Sequence, residues 1–335
     1  MASLAGLSFG RYRVRARWGQ GGMGEVYLGS AVGPDGVEKP VAIKTIRALH
    51  RQRRELVEMF LEEAKVSFLL THPNIVQTYE LGALDDHHFL VMEWVEGITL
   101  EALLEFFRDT RRQPLPVALA LSLAMQVARA LDYAHTFADT QGRPLRIVHR
   151  DVSPSNVLLS RDGQIKVTDF GLVKSVLSKV ETEVGQIKGK AAYMAPEQLA
   201  SRPTDARTDI YSLGVMLYEM LTGTLPFDGE VGEMMIHQLF HAPPPLRERN
   251  PAVPPAWEAL CLRMMEKGRE NRFQSVTELA HALEDLEGHA AAYQAFRTNR
   301  SETGKSGHTM IAPADGFGSS DGVVAAPMAT SDSRA

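Results

Sequence analysis

Three oxygen-bearing side chains, Asp151, Asn156 and Asp169, lie at the two ends of one short stretch of the chain. Between them, the apolar runs Val157–Leu159 and Ile165–Val167 flank a Ser-Arg-Asp-Gly sequence, which predicts a tight hairpin. A hairpin brings its ends together, so the three side chains should meet in one small volume. Two carboxylates at such a short distance repel each other unless a cation lies between them. Carboxylate and amide oxygens suit Mg²⁺ better than zinc, so the stretch predicts a magnesium site for phosphate chemistry.

Composition is that of an ordinary globular protein, large enough for a two-lobed core and a tail. The chain has 335 residues, of which 44% are hydrophobic and 23% charged, with a net charge of −5 and no dominant basic block. Nucleic acid and anionic membranes are therefore not expected as partners. The single cysteine, Cys261, excludes an internal disulfide framework and suits a reducing compartment. No signal peptide or long apolar run is apparent, so we expect a cytoplasmic protein without a membrane span.

The stretch HRDVSPSNVLLSRDGQIKVTDFG resembles the catalytic loop and the following Asp-Phe-Gly motif of protein kinases, and the chain looks like the bacterial serine/threonine members of that family. The resemblance implies an α+β, bilobal protein-kinase fold. We expect a small β-rich N-lobe with one key helix over residues 12–96 and a larger, mainly helical C-lobe over 97–287. Residues 288–335 are poor in core-forming side chains, which predicts a low-complexity, disordered tail.

A glycine-rich segment precedes this stretch and reads G-x-G-x-x-G-x-V. A dinucleotide-binding loop shares the spacing but should open a helix, whereas Val26 continues as a strand, which favours a lid over ATP phosphates. Met92 is expected at the back of the nucleotide pocket, and the backbone of Glu93 and Val95 at the adenine edge. The resemblance assigns the nucleotide site to the following residues: Trp18, Gly19, Gln20, Gly21, Gly22, Met23, Gly24, Glu25, Val26, Ala42, Lys44, Met92, Glu93, Val95 and Leu158.

Lys44 ends a β-branched run and resembles the family lysine that holds the α- and β-phosphates. Its expected partner is Glu63, which the helical spacing places on the inward face of the next helix. A buried carboxylate without a partner is costly, so the two should pair. Ser67 and Thr78 are smaller and more polar than the side chains usual behind this helix, which predicts a less firmly held, inactive helix position.

In the catalytic loop, the resemblance makes Asp151 the group that accepts the substrate hydroxyl proton, and makes Asn156 and Asp169 the ligands of Mg²⁺, with Mn²⁺ as an alternative. Three further assignments are structural. Glu197 should pair with Arg272 as the buried ion pair of the family, and Asp209 should brace the catalytic-loop backbone. Arg150 is a partner for phosphate on the activation segment.

Two positions depart from the family pattern together. Serine/threonine kinases usually carry lysine two residues after the catalytic aspartate, where this chain has Ser153, and threonine after the glycine of the later segment, where it has Lys190. We infer that the two groups have exchanged chain positions. Lys190 would supply the cation near the γ-phosphate, and Ser153 the hydroxyl bonded to Asp151. Independent drift, with Lys190 facing solvent, is the alternative.

The activation segment contains three candidate phosphorylation sites, Thr182, Ser178 and Ser175, with Thr182 favoured by its distance from Tyr193. The reaction implied is transfer of the γ-phosphoryl of ATP to Ser/Thr of protein substrates, including autophosphorylation through a transient homodimer. A pseudokinase scaffold is the alternative, disfavoured because every catalytic residue type is present. A small-molecule kinase is disfavoured by the complete Ala195–Glu197 segment, and tyrosine remains open as acceptor because Ser153 removes one serine/threonine marker.

Overall fold

The computed structural model describes residues 6–20, 24–47, 53–84, 87–170 and 189–286. The N-terminal part is a six-stranded antiparallel sheet in the order β1-β2-β3-β4-β6-β5. Its strands are β1 (Ser8–Phe9), β2 (Tyr12–Gln20), β3 (Gly24–Val32), β4 (Glu38–Ile46), β5 (Thr78–Leu84) and β6 (His87–Glu93), with a single helical turn at Pro34–Gly36. The expected continuation of the glycine-rich segment into a strand is confirmed, because β3 begins at Gly24.

Helix α1 (Arg54–Leu69) follows β4 and packs against β5 and β6. Its buried residues are Leu56, Phe60, Ala64 and Ser67, which recur every three to four positions as an amphipathic helix requires. The chain then turns at His72-Pro73. After the proline, Ile75 forms an isolated bridge to Val167, and strand β5 begins at Thr78.

The C-terminal part is mainly helical. Its helices are α2 (Leu100–Glu105), α3 (Val117–Thr136), α4 (Pro196–Leu199), α5 (Ala206–Thr222), α6 (Val231–Phe240), α7 (Leu246–Arg249), α8 (Pro255–Met264) and α9 (Val276–Glu284), with a π-helical segment at Phe106–Arg111 and 3₁₀ turns at Pro154–Asn156 and Arg269–Asn271. Helix α5 is buried from Thr208 to Thr222 and forms the centre of this part. Helix α3 is long and apolar enough to cross a membrane, but it packs against α5 and α9 and is mostly buried, as a core helix is.

The predicted hairpin is present as β8 (Val157–Ser160) and β9 (Ile165–Val167), joined to β7 (Gly97–Thr99) in a small sheet. Val157 pairs with Val167, and Gly163 adopts a φ of 77° in the turn, a conformation that glycine reaches without strain. Successive side chains of a strand point to opposite faces. Leu158 accordingly packs into the N-terminal core, while Val157 and Leu159 pack into the C-terminal core, so β8 forms the floor between the two parts.

Candidate active site

Lys44 lies at the centre of the cleft between the two parts. Its Nζ donates to Glu63 Oε1 at 3.0 Å and to Asp169 Oδ1 at 2.8 Å, and its side chain is only 4% exposed. A cation this deeply buried is stable only with paired carboxylates around it. Helix α1 therefore stands in the position that brings Glu63 to the cleft, and the inactive helix position expected from Ser67 and Thr78 is not the one observed. Both of those side chains are buried, and the Thr78 hydroxyl has no hydrogen-bond partner among the described residues.

Asp209, at the start of α5, holds the backbone of the catalytic loop. Its carboxylate accepts hydrogen bonds from the backbone N–H of His149 and of Arg150, each at 2.7 Å, and from His135 Nε2 at 2.7 Å. Burial alone would raise the pKa of Asp209, but the hydrogen bond and charge of His135 outweigh it and lower the pKa. Arg150 has a φ of 65°, an unfavourable value for arginine, and the Asp209 bonds hold it there.

Asp151 and Asn156 meet at the mouth of the same cleft. Asn156 Nδ2 donates to the Asp151 backbone carbonyl at 2.8 Å and to its Oδ2 at 3.0 Å. This leaves Asn156 Oδ1 buried and without a hydrogen-bond partner among the described residues. A buried oxygen of this kind costs free energy unless something binds it, and a hard cation such as Mg²⁺ prefers such an oxygen.

The donor set near Asn156 fits a magnesium ion that is also bound by substrate. The described residues contain no group of three His, Cys, Asp or Glu side chains arranged to hold a metal. An amide oxygen from Asn156 and a carboxylate from Asp169 would instead be completed by phosphate oxygens and water, as is usual for Mg²⁺. Asp169 has a φ of 57°, a strained value of the kind that recurs at functional sites.

Lys190 contacts Asp151, the predicted catalytic aspartate. Its Nζ donates to Asp151 Oδ2 at 2.6 Å, so the alternative of a purely solvent-facing lysine does not describe this structure. The other half of the expected exchange is not seen. Ser153 is buried at the start of the 3₁₀ turn, where its hydroxyl bonds Ser155 Oγ at 3.0 Å instead of Asp151.

Five residues of the predicted nucleotide site belong to one buried apolar cluster: Val26, Ala42, Met92, Val95 and Leu158. Trp18 packs against this group and meets Trp94 edge to face, with ring centroids 5.3 Å apart. The Glu93 backbone N–H donates to the Gln77 carbonyl at 2.8 Å, so this donor is already engaged within the N-terminal part.

The glycine-rich lid is described only at its edges. Gly19 pairs with Val26, and Gln20 pairs with Glu25, across the β2–β3 hairpin. The Glu25 carboxylate accepts from Tyr27 at 2.9 Å and lies 3.7 Å from Arg17, so its side chain is occupied within the sheet. The predicted lid residues Gly21, Gly22 and Met23, and the predicted phosphorylation sites Ser175, Ser178 and Thr182, lie outside the described residues.

A buried ion pair fixes the segment that follows the activation segment. Glu197 and Arg272 meet in a two-point contact at 2.9 Å for each bond, and Thr208 also donates to Glu197. Burial opposes the ionised form of Glu197, but the Arg272 hydrogen bonds and charge lower its pKa. The next residue, Gln198, donates to the Arg150 carbonyl at 2.8 Å and so ties this segment to the catalytic loop.

Sequence reasoning missed several buried polar side chains that hold the active-site segments. Tyr193 donates a short hydrogen bond to Glu219 of α5, and Gln238 of α6 donates to the Ala192 carbonyl. The available signal was a polar residue at an inward position of an otherwise apolar helix, since such a residue must find a partner. The partner itself could not be read from helical spacing.

Comparison with known proteins agrees with this geometry. The model of the protein kinase domain family matches residues 12–283. The tyrosine-protein kinase MasK of Myxococcus xanthus is 38% identical over 277 residues, which are 82% of this chain and 43% of MasK. The serine/threonine-protein kinase PrkC of Bacillus subtilis is 36% identical over 271 residues, or 81% of this chain and 39% of PrkC. The chain thus spans less than half the length of these relatives.

A solved structure supports the same fold. The crystal structure of the Mycobacterium tuberculosis PknI kinase domain matches with a TM-score of 0.64 and 28% sequence identity, covering 85% of this chain and 99% of that chain. Its match extends over the sheet, the cleft and the helical part together. With its family model, its bacterial relatives and its fold in agreement, the chain belongs to the protein kinase family.

Proposed function

We propose that this chain is an ATP- and Mg²⁺-dependent protein kinase of the cytoplasm that phosphorylates serine and threonine hydroxyls of proteins. The observation that carries the proposal is the contact of Lys44 with both Glu63 and Asp169, in the cleft that also holds Asp151 and Asn156. A triphosphate held by Lys44 would have its γ-phosphoryl group between the two parts of the protein. Nothing in the described residues favours the alternative of a pseudokinase scaffold.

The chain's own residues then divide the reaction between them. Asp151 orients the acceptor hydroxyl and takes its proton as the hydroxyl oxygen bonds the γ-phosphorus and the bond to the bridging oxygen breaks, releasing ADP. Lys44 holds the α- and β-phosphates, and Glu63 holds Lys44. Asn156 and Asp169 would bind Mg²⁺, which neutralises charge on the phosphates when it is present.

Lys190 is proposed as the cation at the transferred phosphate. Its ammonium group bonds Asp151 at 2.6 Å, so a small movement would place it between that carboxylate and an incoming γ-phosphate. In relatives the corresponding cation comes from the catalytic loop, at the position of Ser153. Because Lys190 belongs to the activation segment, ordering of that segment would itself control turnover, and autophosphorylation in a transient homodimer would be one means of ordering it.

The activity test uses the purified chain with Mg²⁺, labelled ATP and a mixed-sequence peptide library as acceptor. We expect labelled phosphoserine and phosphothreonine, and no labelled product from the Asp151→Asn variant. Phosphotyrosine as the main product would favour a second candidate, a tyrosine kinase, which the name of MasK supports. Absence of label from the wild-type chain in the presence of Mg²⁺ and Mn²⁺ would contradict the proposal.

The role of Lys190 is tested by moving the ammonium group back. Lys190→Thr should lower kcat by about 10- to 100-fold, at or below the lower end of the roughly 10²- to 10³-fold loss caused by removing one charge-stabilising group. The double variant Ser153→Lys/Lys190→Thr has the usual family arrangement and should recover most of that loss, whereas Ser153→Lys alone should not increase kcat. Near-normal turnover of Lys190→Thr would exclude the role, whatever the acceptor proves to be.

A further inference from the structure

A buried row of hydrogen bonds connects the far side of the C-terminal part with the segment that carries Lys190. Gln238 of α6 is fully buried, and its Nε2 donates to the Ala192 carbonyl. Its Oε1 accepts from the hydroxyl of Tyr211, which is also fully buried, on α5. Lys267 completes the row, with Nζ donating to the Tyr211 hydroxyl at 2.9 Å.

The two ends of this row determine its direction. Burial lowers the pKa of Lys267 to about 8, so at neutral pH the group is an ammonium, which can only donate, while the Ala192 carbonyl can only accept. The Tyr211 hydroxyl must therefore donate onward to Gln238, and the amide of Gln238 must keep its nitrogen toward Ala192. Burial raises the pKa of Tyr211, which keeps the phenol protonated and able to donate. A flipped amide would set two oxygens against each other, so one orientation of Gln238 is strongly favoured.

Electrostatic contacts hold the Lys267 end in place. Its ammonium lies 5.3 Å from the centroid of the Tyr211 ring and 4.9 Å from that of Phe227, within the range of cation–π attraction. The Lys267 backbone carbonyl accepts from Arg272, the partner of Glu197. Hydrogen bonds in such a row polarise one another in the same direction, so the bond to Ala192 gains from the charge at the other end.

The Ala192 end lies two residues after Lys190. The Tyr193 N–H donates to the Lys190 carbonyl at 3.1 Å, so Lys190 and Ala192 belong to one helical turn. Ala191 and Ala192 are buried against Phe227 and Met234. Small apolar side chains supply little directional restraint. The hydrogen bond from Gln238 restrains the backbone of this turn at Ala192, and the bond of the Tyr193 hydroxyl to Glu219 restrains the next side chain.

We propose that Gln238 is a positioning residue for Lys190. Its amide, oriented by Lys267 through Tyr211, holds the turn at Ala192 and so keeps the Lys190 ammonium on Asp151. The inference rests on the proposed role of Lys190 in phosphoryl transfer. It makes helix α6 a determinant of turnover, although the side chain that contacts Asp151 is that of Lys190 and not one of α6.

The test is a double-mutant cycle on kcat, with the peptide library as acceptor. Gln238→Leu introduces an apolar side chain of similar size that cannot bond Ala192, and should lower kcat by about 10-fold with the KM for ATP unchanged, since misplacement by about 1 Å can cost 10²-fold. In a Lys190→Ala background the same substitution should cause no further decrease. An equal decrease in both backgrounds, or no decrease in the wild-type background, would overturn the proposal.

Matched controls separate positioning from stability. Asn250→Leu removes another side-chain amide that donates to a backbone carbonyl, that of Leu221 at 2.7 Å, and should leave kcat unchanged. If Gln238→Leu does not fold, as judged by its melting transition, Tyr211→Phe removes only the hydroxyl and should give a smaller decrease with the same dependence on Lys190. Wild-type turnover of Lys190→Ala by itself would refute the role of Lys190 and this inference with it, whereas a defective Lys190→Ala without coupling to Gln238 would refute the inference alone.

Discussion

Two lysines meet carboxylates in the cleft, and the protein holds them in different ways. Lys44 lies on β4, between paired strands, and its 4%-exposed side chain contacts two carboxylates. Lys190 lies on a short turn, its side chain is 37% exposed, and it forms an ion pair with Asp151. Regular secondary structure therefore holds the first lysine, and tertiary contacts to helices α5 and α6 hold the second.

The difference implies that the contacts of Lys44 and the contact of Lys190 form independently of each other. The Lys44 contacts require only that α1 lies on the sheet and that β9 leads into Asp169. The Lys190 contact requires the turn at 189–193 to be seated against Gln238, Glu219 and Phe227. We infer that binding of the nucleotide depends on the Lys44 contacts, and that transfer of the phosphoryl group depends on these and on the Lys190 contact.

The largest expected effect comes from removing the ammonium group of Lys44. Lys44→Met removes the buried cation and leaves Glu63 and Asp169 without their common partner, so we expect kcat/KM for ATP to fall by about 10²- to 10³-fold. The KM for ATP should rise. Lys190→Ala should instead lower kcat and leave the KM for ATP near the wild-type value. Steady-state kinetics with varied ATP distinguish the two variants. An unchanged KM for ATP in Lys44→Met would contradict the inference that nucleotide binding depends on the Lys44 contacts.

Added salt should affect the role of Lys190 more than that of Lys44, because exposed ion pairs are screened more than buried ones. Between 50 and 500 mM NaCl, the ratio of wild-type kcat to that of Lys190→Ala should shrink by about 2- to 5-fold. The ratio for Lys44→Met should change less. Measuring all three proteins at each salt concentration removes general effects of salt on peptide binding. If both ratios change equally with salt, Lys190 acts from a buried position.

The smallest expected effect concerns acidic groups near Lys190. Burial, followed by repulsion from Glu105 and Glu219, raises the pKa of Glu101 from 4.5 to about 7. Between pH 4.5 and 7 the folded chain therefore binds more protons than the unfolded chain, so the free energy of unfolding falls as pH rises through this window.

Glu101→Gln removes this pH-dependent loss of stability, because glutamine does not ionise. The variant should be more stable than the wild type above pH 7, by about 1 to 3 kcal/mol, and equally stable below pH 4.5. Urea unfolding at pH 4.5, 6 and 8 measures the difference. A constant difference at all three pH values would mean that Glu101 is ionised alike in the folded and unfolded chain.

Local pattern predicted the parts of the site that depend on few degrees of freedom. The β8–β9 hairpin brings Asp169 back toward Asp151 and Asn156 because its turn and apolar runs leave little choice of register. Helical spacing likewise placed Glu63 on the inward side of α1. The inactive position expected for that helix from Ser67 and Thr78 is not the one in this structure, where Glu63 pairs with Lys44.

Side-chain partners across the fold were less predictable. The proximity of Lys190 to Asp151 followed from a pair of departures from the family pattern, but the partner of Ser153 depended on a 3₁₀ turn that aims its hydroxyl at Ser155. Gln238 carried no signal beyond a polar residue in an apolar helix. Its two partners come from parts of the chain 27 and 46 residues away.

The sequence by itself determined which groups could do chemistry: a glycine-rich lid, a lysine on a strand, a glutamate on a helix, and a hairpin that carries the two carboxylates and the amide. These follow from spacing along one or two neighbouring elements, where backbone geometry leaves few alternatives. The tertiary structure alone decided that Ser153 faces Ser155, and that Gln238 and Lys267 support the turn carrying Lys190. Such contacts depend on how several helices pack at once, and burial then forces each polar group to bond whichever partner that packing brings within reach.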